Sequence, residues 1–175
     1  TLSARHALLS TLEDSDTQAF TACIAFRIAT SVSGIKMLFG NLSNPIVNGR
    51  AIYSSNGTLI FRSGDGANQN LAGMTAVADA WHWLAVGHDP DSGTDSLIAY
   101  ADGQSLTFDY DASSYVVGAT NLAVGDSTYS SAGLAPVDYA EAIIFDSLLT
   151  ADELAGVYNR SLIRLGSRGI SLTSL

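Results

Sequence analysis

The chain has 175 residues, of which 47% are hydrophobic and only 14% charged, so it can bury enough apolar surface to offset its chain entropy and is not a disordered segment. Eight basic against 17 acidic residues leave a net charge of −9, a sign that repels phosphate backbones and anionic membrane surfaces and argues against nucleic acid or membrane insertion. A single cysteine, Cys23, precludes an internal disulfide and a Cys-based zinc site, and no apolar run reaches the roughly 18 residues of a spanning helix.

Residues 1–18 differ in character from the remainder of the chain. SARHALLSTL sets Leu8, Leu9 and Leu12 at helical spacing and reads either as a short helix or as an extended arm; the opening lacks the charged-then-apolar order of a secretory signal. The Glu13-Asp14-Ser15-Asp16 cluster reads as a turn. From Phe20 the period becomes two: Phe20, Ala22, Ile24, Phe26 and Ile28 alternate with Thr21, Cys23, Ala25 and Arg27, predicting a strand with one strongly apolar face. Cys23, inside this run, reads as a small buried hydrophobe. GIKMLFGN (34–41) predicts the next strand, and AIYSSNGTLIFRS two short strands around the hairpin signal Asn56-Gly57. GDGANQN (64–70) reads as a polar, Gly-rich loop. WHWLAVGHD and DSLIAYADG predict partner strands across the turn PDSGT, and Asp102-Gly103 turns tightly into QSLTFDYD. TNLAVGD and DYAEAIIFD predict two further strands. Thr150 and Glu153 have the spacing of a capping box before a helix, ADELAGVYNR, whose Leu154, Val157 and Tyr158 share a face. The tail RLGSRGISLTSL reads as a turn and a closing strand. Strands at about ten-residue intervals with one or two helices predict a sandwich or barrel. Residues 19–175 read as one domain, and Phe26, Val86 and Ile144 are expected to share its interior.

The order of these segments resembles laminin-G-like domains of the concanavalin A-like lectin and glucanase superfamily. The resemblance rests on WHWLAVGHDPDSGTDSLIAYADGQSLTFD as a central hairpin, TNLAVGD as a following strand, and DYAEAIIFDSLLTADELAGVY as a strand carrying Glu before a short helix. It spans roughly Phe20 to Gly169 and implies an all-β jelly roll: two antiparallel sheets packed face to face, with one short C-terminal helix. Domains of this kind bind glycans, proteins or calcium, hydrolyse glucans, or build assemblies, so the resemblance bears on fold more than on function.

Four constellations bear on chemistry. Glucanases of this fold need two carboxylates about 5 Å apart. The chain has only Glu13, Glu141 and Glu153, of which Glu153 is expected in the cap, and Asp138, Glu141 and Asp146 lack the spacing; no catalytic residue is assigned. Asp89, Asp91 and Asp95 in DPDSGTD set carboxylates at positions 1, 3 and 7, a pattern that calcium or an ordinary hairpin turn accommodates. A second calcium set would pool Asp65 or Asn68 with Asp126. His6, His82 and His88 form no zinc pattern: His82 and His88 share strand parity but stand about 20 Å apart along a strand. Trp81 and Trp83 share a face, which puts at least one in the core. Tyr110, Tyr115 and Tyr129, near loops rich in Asp, are the candidates for stacking on a sugar ring, with Asp126 and Asn68 for its hydroxyls; the alternative is that these tyrosines cap the sandwich edge or a subunit interface.

These features favour a non-catalytic, lectin-like binding or adhesion module that recognises a glycan or a surface protein. A virion structural role, as a phage decoration, tail or fibre component that forms a homo-oligomer or a capsid or tail assembly, is the alternative. Either implies a virion or extracellular surface location. No cofactor beyond calcium is implied.

Overall fold

The computed structural model describes residues 8–9, 18–29, 31–41, 48–63, 68–91, 96–108, 121–125 and 137–175. Eleven strands and one helix succeed one another in chain order among them: β1 (Leu8–Leu9), β2 (Phe20–Ile28), β3 (Ile35–Gly40), β4 (Arg50–Ser55), β5 (Thr58–Ser63), β6 (Asn68–Thr75), β7 (Trp81–His88), β8 (Leu97–Ala101), β9 (Gln104–Phe108), β10 (Ala123–Val124), β11 (Val137–Phe145) and α1 (Ala151–Ser167). They build a six-stranded sheet, β1-β10-β3-β4-β5-β6, and a five-stranded sheet, β11-β2-β7-β8-β9. Every pairing is antiparallel, which is the expected sandwich with a C-terminal helix.

The two-residue alternation of β2 decides how the sheets stack. Phe20, Ala22, Ile24, Phe26 and Ile28 point between the sheets, where they meet Leu84, Val86, Leu97 and Ala99 of their own sheet and Phe39, Ile52 and Phe61 of the other. Phe26 and Val86 are fully buried there, and Ile144 packs against them. Each large apolar side chain so buried contributes about 1.5–3 kcal/mol. Tyr139 crosses this core from β11, and its hydroxyl donates to the Leu38 carbonyl at 3.0 Å, where the β3–β4 register shifts between Met37 and Phe39. Burial drives the Tyr139 phenol far above its ordinary range, so it serves only as a neutral hydroxyl.

The opposite face of the five-stranded sheet is buried too. Cys23, Ala25, Trp83, Ala85, Ile98 and Tyr100 pack beneath Leu154, Val157 and Leu165 of α1. Small residues in β2 and β7 allow this approach. At Gly87 a β-carbon would stand 2.6 Å from Leu148 Cδ1 and 2.9 Å from Thr21 Oγ1, so glycine leaves room for the chain that leads into the helix. Burial, with the Glu141 carboxylate nearby, pushes the Cys23 thiol up to about 12, which makes it the inert hydrophobe expected. The capping box is formed: the Glu153 amide donates to Thr150 Oγ1 at 3.4 Å, and the Thr150 amide to Glu153 Oε2 at 2.8 Å.

Several elements depart from the sequence reading. The helix continues to Ser167 because Leu154, Val157, Ser161 and Leu165 extend the buried stripe beyond Arg160. The tail then contributes a single parallel bridge, Leu172 to Trp81, in place of a closing strand. Within the span read as a polar loop, Asn68, Gln69 and Asn70 open an edge strand, β6, paired with β5. Of the described residues of TNLAVGD, Ala123 and Val124 alone join the sheet. Leu8 and Leu9 are extended and pair with Val124 and Ala123; the rest of 1–17 lies outside the described residues. The two tight hairpins form as expected, with positive φ at both Asn56 and Gly57 and at both Asp102 and Gly103.

Thr21 holds the connection into α1. Its hydroxyl donates to the Ser147 carbonyl at 2.7 Å and accepts the Leu149 amide at 3.0 Å. Thr21→Val, nearly isosteric, leaves both backbone groups unsatisfied. It is expected to lower unfolding free energy by about 1–3 kcal/mol in urea titrations; an unchanged midpoint would count against this clamp.

Candidate functional site

Strand register gathers several connections at one end of the sandwich. Phe20 pairs with His88, His88 with Leu97, and Leu97 with Phe108; in the other sheet Gly40 pairs with Ala51 and Ala123, Arg50 with Ser63, and Arg62 with Asn68. Connections 41–49, 64–67, 89–96 and 109–122 therefore start and finish at this end. Tyr110 and Tyr115 belong to the last of these and themselves lie outside the described residues, as do Asp65 and Asp95. Asn68 sits on β6, an edge strand and not a loop, and only its backbone is described. Asp126 and Tyr129 also lie outside the described residues, in a segment whose far anchor, Val137, pairs with Ile28 at the opposite end.

A buried cation ties the two sheets together beneath this end. Arg50 is fully buried, donates from Nη1 to His88 Nδ1 at 2.9 Å and from Nη2 to the Gln18 carbonyl at 2.6 Å, and lies over the Phe20 ring at 5.0 Å. His88 also packs on Phe61, with ring centroids 4.9 Å apart. Burial, then the adjacent Arg50, lowers the His88 pKa to about 3, so the imidazole is neutral and its Nδ1 lone pair faces the guanidinium. Asn41 completes the corner: its Oδ1 accepts the Arg50 amide at 3.0 Å, and its own amide donates to the Arg50 carbonyl at 2.9 Å. Sequence reasoning did not single out Arg50. Its signal is parity, because Arg50 shares the inward face of β4 with Ile52, a place where an arginine requires acceptors.

Asp89, Asp138 and Glu141 are engaged in structure. Asp89 Oδ1 accepts the Asp91 amide at 3.0 Å, the local bond of an Asx-turn, and the Asp89 amide donates to the Ser96 carbonyl at 2.8 Å. Among the described residues no group of three or more His, Cys, Asp or Glu could hold a metal ion. Glu141 comes after an irregularity in β11 between Tyr139 and Glu141 that turns its side chain, like that of Ile143, toward α1. There it accepts from the Ser161 hydroxyl and from Arg164 Nε at 2.8 Å. Burial alone would raise its pKa, but these bonds and the Arg164 charge prevail and hold it below the ordinary carboxylate range. Asp138 pairs with Arg27 at 2.7 Å, and Arg27 lies over the half-buried Trp81 ring. Trp83 is the fully buried tryptophan of the pair.

His82 and His88 face the same interior from opposite ends of β7, as their parity predicts. His82 accepts the Val77 amide at Nε2, 2.9 Å, and donates from Nδ1 to the Thr173 carbonyl at 2.9 Å, which fastens the tail to the sandwich. The Asp102 carboxylate accepts the Leu175 amide at 2.8 Å and holds its end.

Because the folded His88 pKa lies below the unfolded value, the unfolded chain binds a proton between about pH 6.5 and 3 that the folded chain refuses, and stability falls as pH drops through that window. From pH 7 to pH 5 this removes about 2 kcal/mol. His88→Gln, which keeps an acceptor for Arg50, is expected to lose that part of the pH dependence in urea titrations at the two pH values.

No protein-family model matches the chain, and no curated protein matches it. Solved structures share its fold. A Ruminococcus gnavus IT-sialidase CBM40 bound to α2,3 sialyllactose aligns with a TM-score of 0.57 and 16% identity over 87% of this chain and 96% of that one. A heptameric SAP-like pentraxin from Limulus polyphemus aligns with a TM-score of 0.61 and 14% identity over 90% of this chain and 77% of that one. The receptor binding domain of botulinum neurotoxin D aligns with a TM-score of 0.58 and 11% identity over 89% of this chain and 40% of that one. At such identities the likeness is one of architecture: the chain is a two-sheet antiparallel sandwich of the jelly-roll kind.

Proposed function

We propose that the chain is a non-catalytic, lectin-like binding module, a laminin-G-like form of this sandwich, that recognises a glycan or a glycan-bearing surface partner. The observation that carries the reading is the gathering of four inter-strand connections at one end, above the rigid Arg50–His88 corner. A scaffold whose strands are fixed and whose ends carry the variable segments suits recognition. Glu141, the only glutamate in a strand among the described residues, is held by Ser161 and Arg164 against the helix, which leaves it no freedom to attack or protonate a glycosidic bond. The solved module bound to sialyllactose has the same architecture, which supports a sugar as the ligand.

Tyr110 and Tyr115 are the proposed stacking residues, with Tyr129 and Asp126 on the next connection and Asn68 as a polar contact. Calcium at Asp89, Asp91 and Asp95 is a subsidiary proposal. A glycan array probed with and without EDTA tests both. Binding to a defined sugar class is expected, weakened at least about tenfold by Tyr110→Ala or Tyr115→Ala; loss in EDTA assigns calcium a part. Absence of any bound glycan in both conditions overturns the reading.

A further inference from the structure

The outward face of α1 has a composition that its own domain does not use. The buried stripe is Leu154, Val157, Ser161 and Leu165. At 100° per residue, Asp152, Gly156, Asn159, Arg160, Ile163 and Ser167 fall on the opposite side. Ile163 stands almost directly opposite the stripe and is 75% exposed, the highest among the exposed large hydrophobics of the described residues. Gly156 sits in the helix interior, where glycine is disfavoured relative to alanine. Among the described residues no contact calls for it: the atoms within 4 Å of a β-carbon placed there belong to the guanidinium end of Arg160, at 3.5 and 4.0 Å.

We propose that this face is a self-association surface, at which α1 packs antiparallel against α1 of a second copy of this chain with the crossing at Gly156. The choice of occupant rests on charge complementarity about that point. Asp152 lies four residues before Gly156 and Arg160 four residues after it, so a twofold axis at the glycine sets Arg160 of each copy against Asp152 of the other. The missing side chain lets the two backbones approach, and Ile163 of each copy lies beside the helix start of the other, out of water. Arg164 and Arg168 take no part, being bound to Glu141 and to the Ala140 carbonyl. The surface lies on the outer side of the five-stranded sheet and does not depend on the glycan reading.

Sedimentation equilibrium of the full chain over micromolar to millimolar concentration tests it. A reversible dimer is expected. Ile163→Asp should raise its dissociation constant at least about tenfold. Asp152→Arg and Arg160→Asp should each weaken self-association by setting like charges face to face. An equimolar mixture of those two variants should regain a dimer, because each supplies the charge the other lacks. Circular dichroism and the thermal midpoint establish that each variant is folded. A wild-type chain that stays monomeric, a dimer indifferent to Ile163→Asp, or a mixture that stays monomeric each overturns the proposal.

Discussion

Burial of both faces of the five-stranded sheet is the constraint on which the rest of the structure depends. An antiparallel sheet can leave one face to water, and here β2, β7 and β8 are covered on both. One face meets the other sheet through Phe20, Ile24, Phe26 and Val86; the second meets α1 through Cys23, Ala25, Trp83 and Ala85. The second contact dictates small residues at alternate positions of β2, the bare backbone at Gly87, the hydroxyl clamp at Thr21 and the bulge that swings Glu141 toward Ser161 and Arg164. Together they fasten the chain after β11 across the sheet, and the tail beyond α1 is bound in turn by His82 and Asp102.

That arrangement divides the molecule into surfaces with different work. Most of the five-stranded sheet is covered on both faces, by the other sheet and by α1. One end is stiffened by Arg50, which meets a neutral histidine, a backbone carbonyl and an aromatic face. A buried cation with such partners has little tolerance for movement, and it anchors the strand ends from which the connections spring. Glu141 is a strut between strand and helix.

Much of the scaffold was legible in side-chain periodicity. Phe20 through Ile28 declares a strand because its apolar partners lie two apart, and Thr150 with Glu153 declares a helix start because only that spacing closes a capping box. Asn68, Gln69 and Asn70 concealed β6, since a polar edge strand satisfies its backbone through one neighbour and need not bury its side chains. The helix outran its reading because Ser161 interrupts the apolar stripe, and only the position of Glu141 explains a serine there. Arg50 gave no motif: its role depends on His88, 38 residues away and in the other sheet. The tyrosines proposed for ligand contact are recognisable by type and neighbourhood alone.

A chain ending at residue 149 tests the central constraint most directly. Without α1, the Cys23, Ala25, Trp83 and Tyr100 face meets water, and Leu154, Val157 and Leu165 no longer contribute about 1.5–3 kcal/mol each. The loss is comparable to the roughly 5–15 kcal/mol that holds a typical domain together. Urea titration followed by tryptophan fluorescence should give no cooperative transition, with Trp83 exposed from the start. A cooperative transition at an unchanged midpoint would contradict the dependence of the sandwich on its helix.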